Sequence, residues 1–146
     1  KGTPAPEGHV VELGQADVRR SGTDVTLVAL ASTVPTALSA AERLAADGIS
    51  AEVVDLRCLI PMDVTTVLES VGRTSRLVTV EENPHQGGWG ATLVSIVVDE
   101  GFELLDAPVR RVASANVPLP FADALEDAVI PTVDKVVATV RGVVGY

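Results

Sequence analysis

Near-continuous apolar runs alternate along this chain with stretches of helical periodicity. Val25–Ala31 (Val-Thr-Leu-Val-Ala-Leu-Ala) is apolar at almost every position, the pattern of a strand covered on both faces. Leu38, Ala41, Leu44 and Ala45 then recur at helical spacing, which predicts a helix from about Val34 to Ala46. Ser32 or Thr33 is placed to cap it, Pro35 is tolerated in its first turn, and Gly48 supplies the stop. Ala51–Asp55 reads as the next strand. Asp63 caps a second helix over about Val64–Val71, with Val64, Val67, Leu68 and Val71 inward. Arg76–Val80 is another buried strand, ending at Glu81-Glu82. Gly87-Gly88-Trp89-Gly90 opens a third helix through about Val98, and Val109–Ala113 is the last strand. A Pro-rich loop at Val117–Pro120, a short helix at Asp123–Asp127 and a final helix from Thr132 or Asp134 to about Val143 complete the pattern.

Strands that alternate with helices imply right-handed crossovers and a mostly parallel sheet with helices on both faces. The predicted fold is therefore a three-layer α/β/α sandwich. Residues 1–14, with Pro4, Pro6, Gly2 and Gly8, read as a lead-in or linker, and 15–146 as one domain. Gln15–Arg20 is short enough to be an edge strand, followed by a turn at Ser21-Gly22-Thr23-Asp24.

Composition sharpens this picture at three points. Hydrophobic residues make up 47 % but aromatics only 3 %, so the core is built from Val, Leu, Ile and Ala, which suit helices laid flat on a sheet. The apolar share is high for a monomer, and part of it is expected to cover a subunit interface. The net charge of −9 repels a phosphate backbone and excludes nucleic acid as a natural partner. A basic protein partner fits that charge, and so does simple solubility. The single cysteine, Cys58, has no internal partner and reads as a packed thiol. No run reaches the roughly 20 apolar residues of a membrane span. The chain begins at Lys1 without Met, which is expected of a fragment or processed piece.

The candidate chemistry is sparse. Gly87-Gly88-Trp89-Gly90 follows a strand and opens a helix, so its amides could hold an anion. The dinucleotide fingerprint fails, because the position of its third glycine is Leu93. Close helix–sheet packing is the plainer reason for these glycines. Glu81 and Glu82 end a strand, where open α/β sheets place functional groups, but alternation sends neighbours to opposite faces. One of them facing a subunit interface or cleft and a plain solvated pair both remain open. His85 could act as a base or a phosphate contact, or be a surface residue; His9 in the lead-in offers less. Arg57 could pair with an acid at an interface or with Asp55. No His/Cys metal spacing and no nucleophile elbow is present.

The order of motifs carries more than any one of them. Leu13-Gly14-Gln15-Ala16-Asp17-Val18-Arg19-Arg20-Ser21-Gly22-Thr23-Asp24 leads to Gly48-Ile49-Ser50-Ala51-Glu52-Val53-Val54-Asp55-Leu56-Arg57 and Pro61-Met62-Asp63. Gly87-Gly88-Trp89-Gly90-Ala91, Leu105-Asp106-Ala107-Pro108-Val109, Pro118-Leu119-Pro120-Phe121 and Ile130-Pro131 follow. From about Leu13 to Tyr146 this resembles the C-terminal domain of beta subunits in the pyruvate, branched-chain 2-oxo acid and acetoin dehydrogenases, within the transketolase C-terminal domain superfamily. Thr92 stands where the family usually has Glu, and Ser114-Ala115-Asn116 where it usually has Gly-x-Asp. Glu82-Asn83-Pro84 with Gly-Gly points toward the branched-chain and acetoin members.

The resemblance implies an oxidoreductase that decarboxylates a 2-oxo acid and passes the acyl group to lipoamide, in the cytoplasm or the mitochondrial matrix. It uses thiamine diphosphate and Mg in the full enzyme, bound by other domains, so none is expected to bind here and no catalytic residue is expected. The resemblance also implies contact with an alpha subunit and a second beta subunit. Asp106 and Tyr146, the latter taken as the natural chain end, match positions that receive basic groups of the acyltransferase core's subunit-binding domain. Two rivals stay open: a free-standing nucleotide- or anion-binding module built on Gly87–Gly90, and the equivalent domain of another transketolase-superfamily enzyme.

Overall fold

The computed structural model describes residues 6–8 and 10–146; His9 lies outside the described residues. Its elements, in chain order, are β1 (Asp17–Arg20), β2 (Val25–Ala29), α1 (Thr33–Ala46), β3 (Ala51–Asp55), α2 (Val64–Thr74), β4 (Leu77–Pro84), α3 (Trp89–Gly101), a short 3-10 turn (Phe102–Leu104), β5 (Arg110–Ser114), α4 (Asp123–Val129) and α5 (Val133–Val144). The sheet order is β1-β3-β2-β4-β5. β1 runs antiparallel to β3, and every other neighbouring pair is parallel. This is the mostly parallel sandwich that the apolar runs predict, with the predicted edge strand shortened to four residues.

The two sides of the sheet explain why β2 is apolar throughout. Val25, Leu27 and Ala29 pack under α1 and α5 with Val53, Val78 and Val80. Val28 and Val54 pack under α2 and α3 with Val67, Val71, Leu93 and Trp89. Each alternate residue therefore meets a helix layer, and a polar face would have nowhere to go. The one polar residue of β2, Thr26, is fully buried. Its hydroxyl lies 2.7 Å from both the Ser70 and Thr74 hydroxyls on α2. That chain continues through Ser70, which donates to buried Glu52 at 2.5 Å, to Arg73 at 2.6 Å from the same oxygen. Buried polar atoms are thereby paired in series.

Several element ends differ from the sequence reading. Ser32 makes no side-chain cap to α1; Thr33 instead turns its hydroxyl to the Leu30 carbonyl (2.9 Å) and the Val80 carbonyl (2.8 Å). Asp63 does cap α2, accepting from the Thr66 N–H and hydroxyl at 3.0 and 2.7 Å, and it also accepts from Ala16 N–H at 2.9 Å. α2 and α3 each run three residues beyond their predicted ends, because Ser75 terminates α2 in a left-handed conformation and Gly101 is buried against Leu68 and Leu104. Neither stop carries a Pro or an exposed Gly that a sequence pattern would register.

Candidate functional site

In open parallel sheets the ligand crevice lies where neighbouring strands send their crossovers in opposite directions, outside the C-terminal strand ends. Here that point lies between β2 and β4. Thr33, only 4 % exposed, spans it through the bond to Val80 already described. The neighbouring anion seat is also taken. At the start of α3 the Gly90 N–H donates to Glu81 Oε2 at 2.9 Å, so the helix N-terminus faces the protein's own carboxylate. Glu81 is fully buried. Its Oε1 accepts from Arg111 Nε at 2.8 Å, and Arg111 Nη2 lies 2.7 Å from the same oxygen. Arg111 Nη1 ties down the loop by donating to the His85 carbonyl at 2.8 Å. A side chain at Gly88 or Gly90 would collide with the Glu81 carboxylate, which is the physical requirement for those glycines.

The solvated-pair reading of Glu81-Glu82 is thus corrected for Glu81. Alternation along β4 puts Glu81 under α3, where a charge must be paired, while Glu82 is exposed beside Asn83, Pro84, Ser114 and Leu119 in a shallow cleft. His85 is exposed, and its backbone rather than its ring is engaged. Arg57 reaches Asp17 on β1 at 2.6 Å. Its N–H, not its guanidinium, meets Asp55, at 3.1 Å. Arg19 adds contacts of 3.5 and 3.7 Å to Asp17 and Asp55. This cluster pins the edge strand to β3. Cys58 is half-buried and its thiol donates to the Ile60 carbonyl at 3.1 Å. Glu82, His85 and Arg57 share no site. Among the described residues, no group of three or more His, Cys, Asp or Glu side chains could hold a metal ion.

Asp106 and Tyr146 are brought together. Both line a cleft of about 480 Å³ whose walls are Val94, Val98, Phe102, Leu105, Ala107, Pro108 and Val109. Asp106 is exposed, and its backbone is fixed by an N–H bond to the Ser75 carbonyl at 2.9 Å. Phe102 and Tyr146 are 69 % and 79 % exposed, so large apolar area lies open beside one carboxylate. Leu105, Ala107, Pro108 and Val109 belong to a motif read in the sequence, but Val94, Val98 and Phe102 were missed as a wall, though a signal exists. α3 buries Trp89, Leu93 and Val97 on one stripe, and Val94, Val98 and Phe102 form a second stripe at i, i+4 and i+8. A helix with two apolar stripes has a face for the sheet and a face for something else. The acidic residues Asp99 and Glu100 occupy its last turn with no basic residue, where the helix dipole favours cations.

Residues 14–136 match the model of the family described as "Transketolase, C-terminal domain", and the chain belongs to that family. Its relatives are beta subunits. It is 39 % identical, over 99 % of its length and 42 % of the relative's, to the acetoin:2,6-dichlorophenolindophenol oxidoreductase subunit beta of Bacillus subtilis. It is 49 % identical, over 86 % of its length and 34 % of the relative's, to the mitochondrial pyruvate dehydrogenase E1 component subunit beta-1 of Arabidopsis thaliana. Among solved structures, a split gene transketolase described as an inactive beta4 tetramer superposes with a TM-score of 0.82 and 34 % identity, over 99 % of this chain and 46 % of that one. The chain therefore spans less than half the length of each of these proteins.

Proposed function

We propose that this chain is the C-terminal assembly domain, residues 15–146 with a lead-in at 1–14, of the beta subunit of a thiamine-diphosphate-dependent 2-oxo acid dehydrogenase. It serves association of the beta subunits with each other and with the alpha subunit, and it docks the subunit-binding domain of the acyltransferase core. The observation that carries this reading is the meeting of Asp106 and Tyr146, forty residues apart in sequence, on one cleft with an open apolar wall. An acidic group beside exposed aliphatic and aromatic surface suits a partner that offers a basic side chain next to an apolar anchor. The unneutralised α3 terminus adds to that field.

The residues present do not fit thiamine diphosphate. A pyrophosphate needs free amides or cations, yet the α3 N-terminus is taken by Glu81 and the switch-point crevice by Thr33. The same two features count against the nucleotide- or anion-binding rival. Decarboxylation of the 2-oxo acid belongs, in this reading, to domains outside these residues. The mitochondrial plant relative and the Bacillus relative support a matrix or cytoplasmic setting, and no helix among the described residues is long and apolar enough to cross a membrane.

The test is calorimetric titration of an acyltransferase subunit-binding domain into the wild-type chain, Asp106→Ala and a chain lacking Tyr146. Removing either contact is expected to cost about 2–5 kcal/mol of binding, with association that slows as salt rises. Equal affinities for all three chains at every salt concentration would refute the docking role.

A further inference from the structure

The outer edge of β5 is open. β5 ends the sheet and pairs only with β4. Just beyond it, Ala115 turns its N–H outward to the Val129 carbonyl at 3.2 Å. Backbone groups alternate in direction along a strand, so Arg111 and Ala113 present their N–H and C=O to the same outer side. A groove of about 480 Å³ runs along this edge, floored by Lys135, Ala138 and Thr139 of α5. Two side chains here lack partners. The Ser114 hydroxyl is buried and makes no hydrogen bond. Arg110 is exposed, and none of the ion pairs among the described residues includes it. Unlike β1, whose Arg19 engages acids at the other edge, β5 is guarded against strand addition by its short length and the charge of Arg110, and that charge is a guard that a partner strand with a hydroxyl opposite it can satisfy.

We propose that β5 pairs antiparallel with β5 of a second copy of this chain, about a two-fold axis at Val112, joining the two sheets into one. This rests on the reading of the chain as a self-associating beta domain and states where that association occurs. The register follows from the symmetry. Val112 faces itself, Arg111 faces Ala113 of the partner subunit, and Arg110 faces Ser114 of the partner subunit, so no arginine opposes another. Positions 110 and 114 lie on the same face of the strand. A rotation about χ1 of Ser114 brings its hydroxyl to the guanidinium of the facing arginine, giving both orphaned groups a partner. Four outward backbone groups per chain gain bonds at the same time. On α5, Ala138 and Gly142 are exposed at i and i+4, and a side chain at Gly142 would meet nothing. This small-residue face lets the two α5 helices approach over the joined edge. A second copy is favoured over a foreign strand because each unpartnered group finds its complement on the identical chain, and because the 34 %-identical split gene transketolase is a beta4 tetramer.

Two measurements test this. In a Cys58→Ser background, Arg110→Cys with Ser114→Cys is expected to form a disulfide-linked dimer as the main species on mild oxidation, reversed by reductant. The exposed pair Glu69→Cys with Glu103→Cys serves as the collision control, and equal cross-linking there would overturn the proposal. In the wild-type chain, the amides of Arg111 and Ala113 are expected to exchange at least tenfold more slowly at high than at low protein concentration. Sedimentation is run alongside. A dimer without the cross-link and without concentration-dependent protection places the contact on another face and refutes this one alone. A strict monomer at high concentration refutes self-association as well.

Discussion

Removal of the Glu81 carboxylate probes how the glycine-rich turn is built. Glu81 is fully buried and Arg111 nearly so, with side-chain exposures of 0 % and 11 %. Glu81→Ala deletes the acceptor for Arg111 Nε at 2.8 Å and for the Gly90 N–H at 2.9 Å, and leaves a guanidinium and a helix-terminal amide without their charge partner. Breaking a buried pair from one side costs about 3–5 kcal/mol. In a chain of this size about 1 kcal/mol moves the melting temperature by about 2–4 °C, so a fall of about 6–20 °C is expected. Trp89, the single tryptophan, sits buried beside Gly88 and Gly90 and makes fluorescence-detected urea unfolding a local and a global readout. Arg111→Ala should cost a similar amount, and the double alanine variant clearly less than the two singles added. Glu81→Met with Arg111→Met, which fills the space with apolar atoms, should lie within about 1–2 kcal/mol of wild type. A loss below about 1 kcal/mol for Glu81→Ala, or strict additivity of the two alanine variants, would refute the view that this pair holds the turn.

Asp63 gives a pH-dependent contribution. Burial raises its pKa, but hydrogen bonds from the Ala16 N–H, the Thr66 N–H and the Thr66 hydroxyl outweigh this and hold it below the ordinary aspartate value. A depressed folded-state pKa stabilises above the unfolded value of about 3.9 and is lost as pH falls through the folded one. Urea midpoints should therefore drop more steeply in acid for wild type than for Asp63→Asn, and identical slopes would count against the assignment; Asp63→Ala should in addition lose about 1 kcal/mol of capping near neutral pH. Two glycines should respond with opposite sign. A Cβ at Gly22 runs into the backbone of Ala51 and Glu52, so Gly22→Ala should cost about 1–3 kcal/mol, whereas at helical Gly72 it meets only Leu104 at 3.9 Å and should gain about 0.5–1 kcal/mol; thermal melts that rank the two the other way would contradict the packing described.

By itself the sequence determined the layered fold. The apolar run at Val25–Ala29 required cover on both faces, and the stripes of α1, α2 and α5 supplied it, because periodicity is a local property that survives without coordinates. The Asp63 cap was legible for the same reason, as was the order of short motifs from Leu13 to Pro131 that marks the family. Tertiary structure alone decided what lies across the sheet. The Glu81–Arg111 pair joins residues 30 apart, and the Thr33–Val80 bond joins residues 47 apart. The first closure occupies the glycine-rich turn, where local pattern left a ligand open, and the second occupies the switch point that the strand order creates. Asp106 and Tyr146 were legible only through the family resemblance; that they share one cleft with Val98 and Phe102 depends on where α3 and the end of α5 come to rest. Hydrophobic patterning specifies which face of each element is buried, but not which charged side chains the assembled layers bring into contact. That is set by strand order and register, which depend on all the elements at once.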